Sequence, residues 1–211
     1  MKITIIGNNL TGLILSKALV NKNINVELLF VPKKRKKTIR TIGITKKNVD
    51  YIESNLLKIP KRFINTINEI GIYTEKSNKT EIINFNNKKE LFNLIKFEDF
   101  FELLEKDLKR SKKFKYTKIN NINSLKKKIY FKTHEIIINC DNIKFLNQKL
   151  SGNFTKDYKT DAFTFILNHR SIKNNKACQT FTKYGPLAFL PLSSIQTSIV
   201  FSIYKNKKDL N

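Results

Sequence analysis

The residues with the strongest claim to chemistry stand near the N-terminus, in GNNLTG, Gly7 to Gly12. They have the frame of G-x-G-x-x-G, with Asn9 at the place of the middle glycine. In that frame the first glycine permits a tight turn, and the third lets helix and strand approach closely. The middle one lets the backbone come near a pyrophosphate lying on the helix N-terminus. Asparagine tolerates left-handed backbone better than most residues. Asn9 is therefore expected to keep the shape of the turn while its side chain takes space that phosphates would use. An acid holding a ribose hydroxyl should fall at position 30, which is Phe30. Glu27 lies three residues too early and, by strand alternation, on the opposite face. Taken alone, the loop reads equally as a dinucleotide site and as the scaffold of one.

Other chemistry is sparse. His134 and His169 are the only histidines, and no metal-ligand spacing links them to each other or to a carboxylate, so no metal site is expected. No G-x-S-x-G occurs, which removes the common acyl-transfer nucleophile. Cys140 and Cys178 lie far apart without a C-x-x-C, which argues against a disulfide framework or zinc and suits a reducing compartment. Cys178 reads as a small buried apolar residue, and Glu98 and Asp99 as the solvated side of a helix.

Lysine and arginine number 41 against 17 acids, a net charge of +24, which raises nucleic acid or an anionic membrane surface as a partner. The basic residues are mostly Lys and are spread along the chain with Asn and Ile, all residues of AT-rich codons. A phosphate-reading surface would cluster its charge and use Arg forks. The densest run, PKKRKK at 32–37, reads as a solvated loop, so a nucleic-acid partner is not expected.

Around the loop the elements follow from periodicity. Ile3 to Ile6 predicts a strand, Leu13, Leu15, Ala18 and Leu19 a helix, and Ile24 to Phe30 a second strand, which makes one βαβ unit. Residues 31–45 read as a basic connection, and 46–70 have helical spacing broken at Pro60. GIYTEK and TEIINFNN alternate around SNK as a hairpin, and 90–110 predict a helix with Phe97, Phe100, Phe101, Leu104 and Leu108 on one face. KFKYTKI and KKIYF suggest short strands, and HEIIINCD a buried strand ending in an acid. Three strands are expected over 153–204: DAFTFILNHR, KACQTFTK, and SIQTSIVFSI with its preceding LAFLPL. The stretch from Pro186 carries polar residues at its middle and reads as two strands joined by a turn, not as a membrane span. GNN interrupts the apolar N-terminus and no cleavage site follows, so no signal peptide is expected.

Four stretches taken together carry a resemblance. KITIIGNNLTGLILSKAL is similar to an opening flavin loop and helix. RTIGITKKNVDYIE places Arg40 where the family sets an arginine against the flavin. HEIIINCDN resembles a strand ending in Ala-Asp-Gly, with Asp141 at the aspartate and Cys140 and Asn142 as its neighbours. CQTFTKYGPLAFLPLSSIQTSIVFSI, the most specific, is similar to Gln-x-Phe followed by Gly-Pro-Leu-Ala-Phe-Leu-Pro-Leu and a strand ending in Ser. The chain so resembles the flavoprotein aromatic hydroxylases of ubiquinone biosynthesis, a branch of the FAD-dependent class A monooxygenases, over essentially all 211 residues.

The resemblance implies an α/β fold in which a Rossmann-like FAD-binding layer, 1–69 with 89–152, is interleaved with a mostly antiparallel substrate sheet, 70–88 with 153–211. It implies FAD contacts from Gly7, Leu10, Gly12, Arg40 and Asp141, with no catalytic triad and no metal. NAD(P)H would be the reductant, and molecular oxygen and a prenylated phenol the co-substrates, the phenol in an apolar, Phe-lined cavity. A cytoplasmic enzyme making peripheral contact with the membrane's inner face, with partners in a biosynthetic complex, fits that substrate. Family members continue into a Gly-Asp-Ala segment, and nothing like it occurs before Asn211, so an N-terminal portion of the family fold is expected. The rival expectation is a degenerate, non-catalytic relative acting as a complex subunit, which Asn9 and Phe30 favour. A basic nucleic-acid binder is the weaker third.

Overall fold

The computed structural model describes residues 2–32, 38–75, 80–86, 90–130, 136–141, 143 and 156–205. In chain order the elements are β1 (Lys2–Ile6), α1 (Leu10–Asn21), β2 (Asn25–Phe30), β3 (Thr41–Thr45), α2 (Lys46–Asn55), β4 (Ile64–Ile67), β5 (Glu69–Thr74), β6 (Glu81–Asn86) and β7 (Phe92–Lys96). There follow α3 (Phe97–Lys109), β8 (Phe114–Lys118), α4 (Ile122–Tyr130), β9 (Ile136–Asn139), β10 (Thr160–Asn168), β11 (Lys176–Thr182), β12 (Gly185–Ser193) and β13 (Gln196–Tyr204). The fold is α/β, as expected. Its compact units are residues 1–37, 52–58 and 100–154, and residues 38–51, 59–99 and 155–211.

The first unit holds a four-stranded, wholly parallel sheet in the order β8-β2-β1-β9. Its two central strands, β1 and β2, are buried along almost their whole length and rich in Ile, Leu and Val because helices cover both faces, whereas the edge strands β8 and β9 are only partly buried. On one face Ile6 and Leu29 meet Ile119 and Leu125, the latter from α4. α1 and α3 lie on the opposite face. Lys17 of α1 pairs with Asp107 of α3, and the Tyr116 hydroxyl of β8 donates to Glu105 of α3 at 2.8 Å. α3 buries Phe100, Phe101, Leu104 and Leu108, four of the five positions its spacing predicts.

The second unit carries a six-stranded sheet in the order β10-β13-β12-β11-β5-β6, antiparallel except where β11 runs parallel to β5. A three-stranded antiparallel sheet, β3-β7-β4, packs on it through Ile67, Leu94 and Ala177, with Ile70, Phe92, Leu190 and Leu192 around them. This small sheet, which the expected boundaries put with the first layer, clusters with the second unit because its apolar face closes on β5, β11 and β12.

Several elements depart from the sequence reading. The helix over 46–70 ends at Asn55. After Pro60 a single 3-10 turn, Lys61–Phe63, leads into β4, where Ile64, Thr66 and Ile67 are β-branched and favour strand. The helix over 90–110 begins only at Phe97. Phe92–Lys96 instead pairs with both β3 and β4, and Glu98 and Asp99 then fall in the first turn, where the helix dipole favours acids. Residues 41–45, read as connection, form β3. KKIYF, read as a strand, belongs largely to α4, whose Leu125 is fully buried. Over 153–204 there are four strands, the stretch from Pro186 forming two strands joined by a turn, β12 and β13, as its polar middle predicts. β9 is only partly buried, being an edge strand. No described helix is long and apolar enough to cross a membrane.

Candidate nucleotide site and the polar face of the second unit

At the C-terminal end of the parallel sheet, where open α/β folds place their ligands, the chain turns sharply from β1 into α1. Gly7 has φ +119, a conformation that side chains strain to adopt, and its N–H donates to Leu29 O at 2.9 Å. A Cβ at Gly7 would lie 3.0 Å from both Cβ and N of Asp141, so the acid that follows β9 sits directly against the first glycine. A Cβ at Gly12 would overlap the Gly7 carbonyl oxygen. Both glycines are thus required by the close passage of helix and strand.

Asn9 is the N-cap of α1, in extended conformation at φ −133 and ψ 174. Its Oδ1 accepts the Gly12 N–H at 2.9 Å, while its Nδ2 donates to the Cys140 carbonyl. The expectation that Asn9 keeps the turn through left-handed backbone is corrected here. Its backbone is extended, and the side chain does the work by capping. Ser16 Oγ donates to Gly12 O at 2.7 Å inside the helix, and Cys140 N donates to Ile6 O at 2.8 Å, holding β9 to β1 up to the loop. Asn8 Oδ1 is buried with no hydrogen-bond partner among the described residues. Burial pushes the Cys140 thiol up, so it stays protonated near neutral pH.

Of the expected contacts the structure brings together Gly7, Gly12 and Asp141, with Leu10 as the first residue of α1. Arg40 lies in the second unit, exposed, just before β3. Its carbonyl accepts the Phe97 N–H at 2.9 Å and its guanidinium stands 5.9 Å from the centre of the Phe97 ring. Asn142 and His134 lie outside the described residues. Phe30, at the position of the missing acid, packs on Tyr116 with ring centroids 4.6 Å apart. Glu27 is 2% exposed, with Lys2 at 3.0 Å, Lys128 at 3.1 Å and the Thr117 hydroxyl at 3.0 Å, so it is a structural ion-pair centre and no ribose ligand.

The residues present match a dinucleotide loop in part. Gly7 and Gly12 allow the tight turn against Asp141 and the Gly7 carbonyl, and the N–H groups of Leu10 and Thr11 fall in the first turn of α1, which has no intrahelical acceptors for them. The orphaned Asn8 acceptor suits a ligand hydroxyl or N–H. The Gly12 N–H is engaged by Asn9, and Phe30 offers nothing to a ribose diol.

The second unit has polar chemistry that sequence reading missed. Lys176 Nζ lies 2.6 Å from Glu69 Oε1 and 2.9 Å from Glu81 Oε1. Tyr73 OH donates to Glu81 Oε1 at 3.2 Å, and Asn84 Nδ2 donates to Glu69 at 2.9 Å and to Glu81 at 2.7 Å. All five surround Gly71, where a Cβ would meet Glu81, Tyr73 and Lys176. The bonds from Lys176 and then Asn84 hold Glu69 below the ordinary carboxylate range. Those from Asn84 and then Lys176 do the same for Glu81, and the two acids raise Lys176 in turn. Beside this cluster a cavity of about 330 Å³ is lined by Tyr73, Thr74, Glu75, Cys178, Thr180 and Phe189. Cys178, read as buried, is half-buried and opens onto that cavity. Glu98 is not simply solvated, because it accepts the Thr38 N–H at 2.9 Å. Alternation along β5, β6 and β11 was the signal available for the cluster, but pairing β11 beside β5 requires the fold. Among the described residues no group of His, Cys, Asp and Glu could hold a metal.

No protein-family model matches the chain, and no curated protein matches it. The fold does match solved structures. PqsL of Pseudomonas aeruginosa, described as a probable FAD-dependent monooxygenase, superposes with a TM-score of 0.73 at 11% identity, over 98% of this chain and 61% of that one. p-Nitrophenol 4-monooxygenase PnpA of Pseudomonas putida gives 0.73 at 8% identity, over 99% and 60%. A tryptophan halogenase from Shewanella frigidimarina gives 0.72 at 10%, over 100% and 57%. The chain shares the fold of these structures and spans about three fifths of the length of PqsL and PnpA.

Proposed function

We propose that the chain is part of an FAD-dependent monooxygenase that hydroxylates an aromatic ring, the substrate being a prenylated phenol of ubiquinone biosynthesis. The observation that carries the reading is the joint of β1 and α1, where Gly7, Gly12 and Asp141 converge at the C-terminal end of a parallel sheet in a chain with the monooxygenase fold. Its structural neighbours p-nitrophenol 4-monooxygenase and 2,6-dihydroxypyridine-3-hydroxylase, both named for aromatic substrates, support an aromatic ring. Membership of the ubiquinone branch rests on the sequence resemblance alone.

On this reading the loop from Gly7 to Gly12 receives the pyrophosphate, with Leu10 and Gly12 at the N-terminus of α1 as its contacts and Gly7 making the turn. Asp141 borders the loop, and Arg40 belongs against the flavin. FAD supplies the redox chemistry, NAD(P)H being the reductant and molecular oxygen the oxidant; the protein binds, orients and excludes water. The six-stranded sheet would provide the substrate layer.

Titration of the purified chain with FAD, followed by flavin fluorescence, tests the proposal. Saturable binding is expected, and Arg40→Ala should weaken it about tenfold through loss of a charged contact. Unchanged affinity in Arg40→Ala removes Arg40 from the site. No binding at millimolar FAD overturns the whole reading in favour of a chain that keeps the fold without the cofactor, the outcome toward which Phe30 leans.

A further inference from the structure

Asn9 stands where the dinucleotide frame has its middle glycine, and both ends of its carboxamide are engaged. Oδ1 holds the Gly12 N–H at 2.9 Å and Nδ2 holds the Cys140 carbonyl. The side chain therefore lies across the start of α1 and ties it to the end of β9. A phosphate on a helix N-terminus is held by first-turn N–H groups aided by the dipole. The Leu13 N–H already bonds Asn9 O at 3.0 Å, and the Gly12 N–H is taken by the side chain, so two of the donors near the loop are satisfied from within.

We propose that the Asn9 carboxamide is a built-in competitor for the anionic group this loop receives. Resting on the FAD reading above, the inference is that Asn9 must release the Gly12 N–H before a pyrophosphate oxygen takes it. Asn9 thereby lowers the affinity of the site. The exchange runs forward because a charged phosphate oxygen makes a stronger bond than a neutral amide. It costs the two bonds that Asn9 makes in the nucleotide-free chain.

A plain N-cap and a competitor differ in sign. A cap supports the loop whether or not nucleotide is bound, so losing it weakens both fold and binding. A competitor stabilises only the nucleotide-free chain, so losing it lowers stability and raises affinity together. Glycine is the residue of the dinucleotide frame at this position and is accepted at helix N-caps, so Asn9→Gly removes both side-chain bonds without barring the turn and is the variant of choice.

The experiment measures the FAD dissociation constant and the melting temperature, with and without FAD, for the 211-residue chain and its variants. Asn9→Gly is expected to melt lower without FAD and to bind FAD about tenfold more tightly, the worth of roughly two ordinary hydrogen bonds. Asn9→Ser, which keeps a cap acceptor and gives up the bond to Cys140, should tighten binding by a smaller factor; it carries the test if the glycine variant does not fold. Wild-type binding with unchanged or weaker affinity in the variants overturns this inference and leaves the FAD reading standing. Binding by neither wild type nor variants at millimolar FAD overturns both.

Discussion

At the scale of single residues, the loop between β1 and α1 is governed by contacts too short for side chains. Because a Cβ on Gly12 would overlap a backbone carbonyl, nothing flexible can yield, and the strand or the helix must shift. Gly12→Ala is therefore expected to cost about 2–4 kcal/mol of unfolding free energy, read from the urea midpoint. An unchanged midpoint would mean that the joint relaxes without loss. The glycines were legible in the sequence because their need is backbone geometry, which spacing reveals. The role of Asn9 was not, since its partner Cys140 lies 131 residues away. Arg40 enters only through the resemblance, and the FAD titration of Arg40→Ala tests it.

At the scale of elements, the hairpin of β5 and β6 and the neighbouring β11 are joined by Lys176, Glu69 and Glu81. Both carboxylates sit lower in the folded chain than in the unfolded one, so they stabilise it above the ordinary carboxylate range and lose that effect as pH falls through their depressed values. The raised Lys176 acts oppositely, its contribution present below the ordinary lysine range and lost only in strong alkali. The urea midpoint of the wild type should fall more steeply between about pH 5 and about pH 2 than that of Lys176→Met. Parallel slopes would show that the cluster contributes nothing. Helices were read well where their apolar stripe is single, as in α3 from Phe100 to Leu108. They were misread where a strand abuts a helix without a turn residue, as at Lys96–Phe97, because short apolar runs do not declare their period.

At the scale of the whole molecule, the charge of +24 opposes compaction. Screening should relieve it: at about 0.1 M salt the Debye length is about 10 Å, so raising sodium chloride from low concentration is expected to raise the melting temperature. A falling melting temperature would show that paired charges outweigh the excess. The chain spans about three fifths of the length of PqsL and PnpA, and the parallel sheet, the antiparallel sheets and the loop are within that span.

By itself the sequence determined the opening strand–loop–helix–strand, the hairpin of β5 and β6 and the buried stripe of α3. Each of these rests on local periodicity or on backbone requirements carried by neighbouring residues. Only the tertiary structure decided that Asp141 borders Gly7, that Asn9 closes on Cys140, that Glu27 is an ion-pair centre, and that Lys176 meets Glu69 and Glu81. Those meetings depend on which strands become neighbours. Strand order is set by burial summed over the whole core, and no short window of sequence contains that sum.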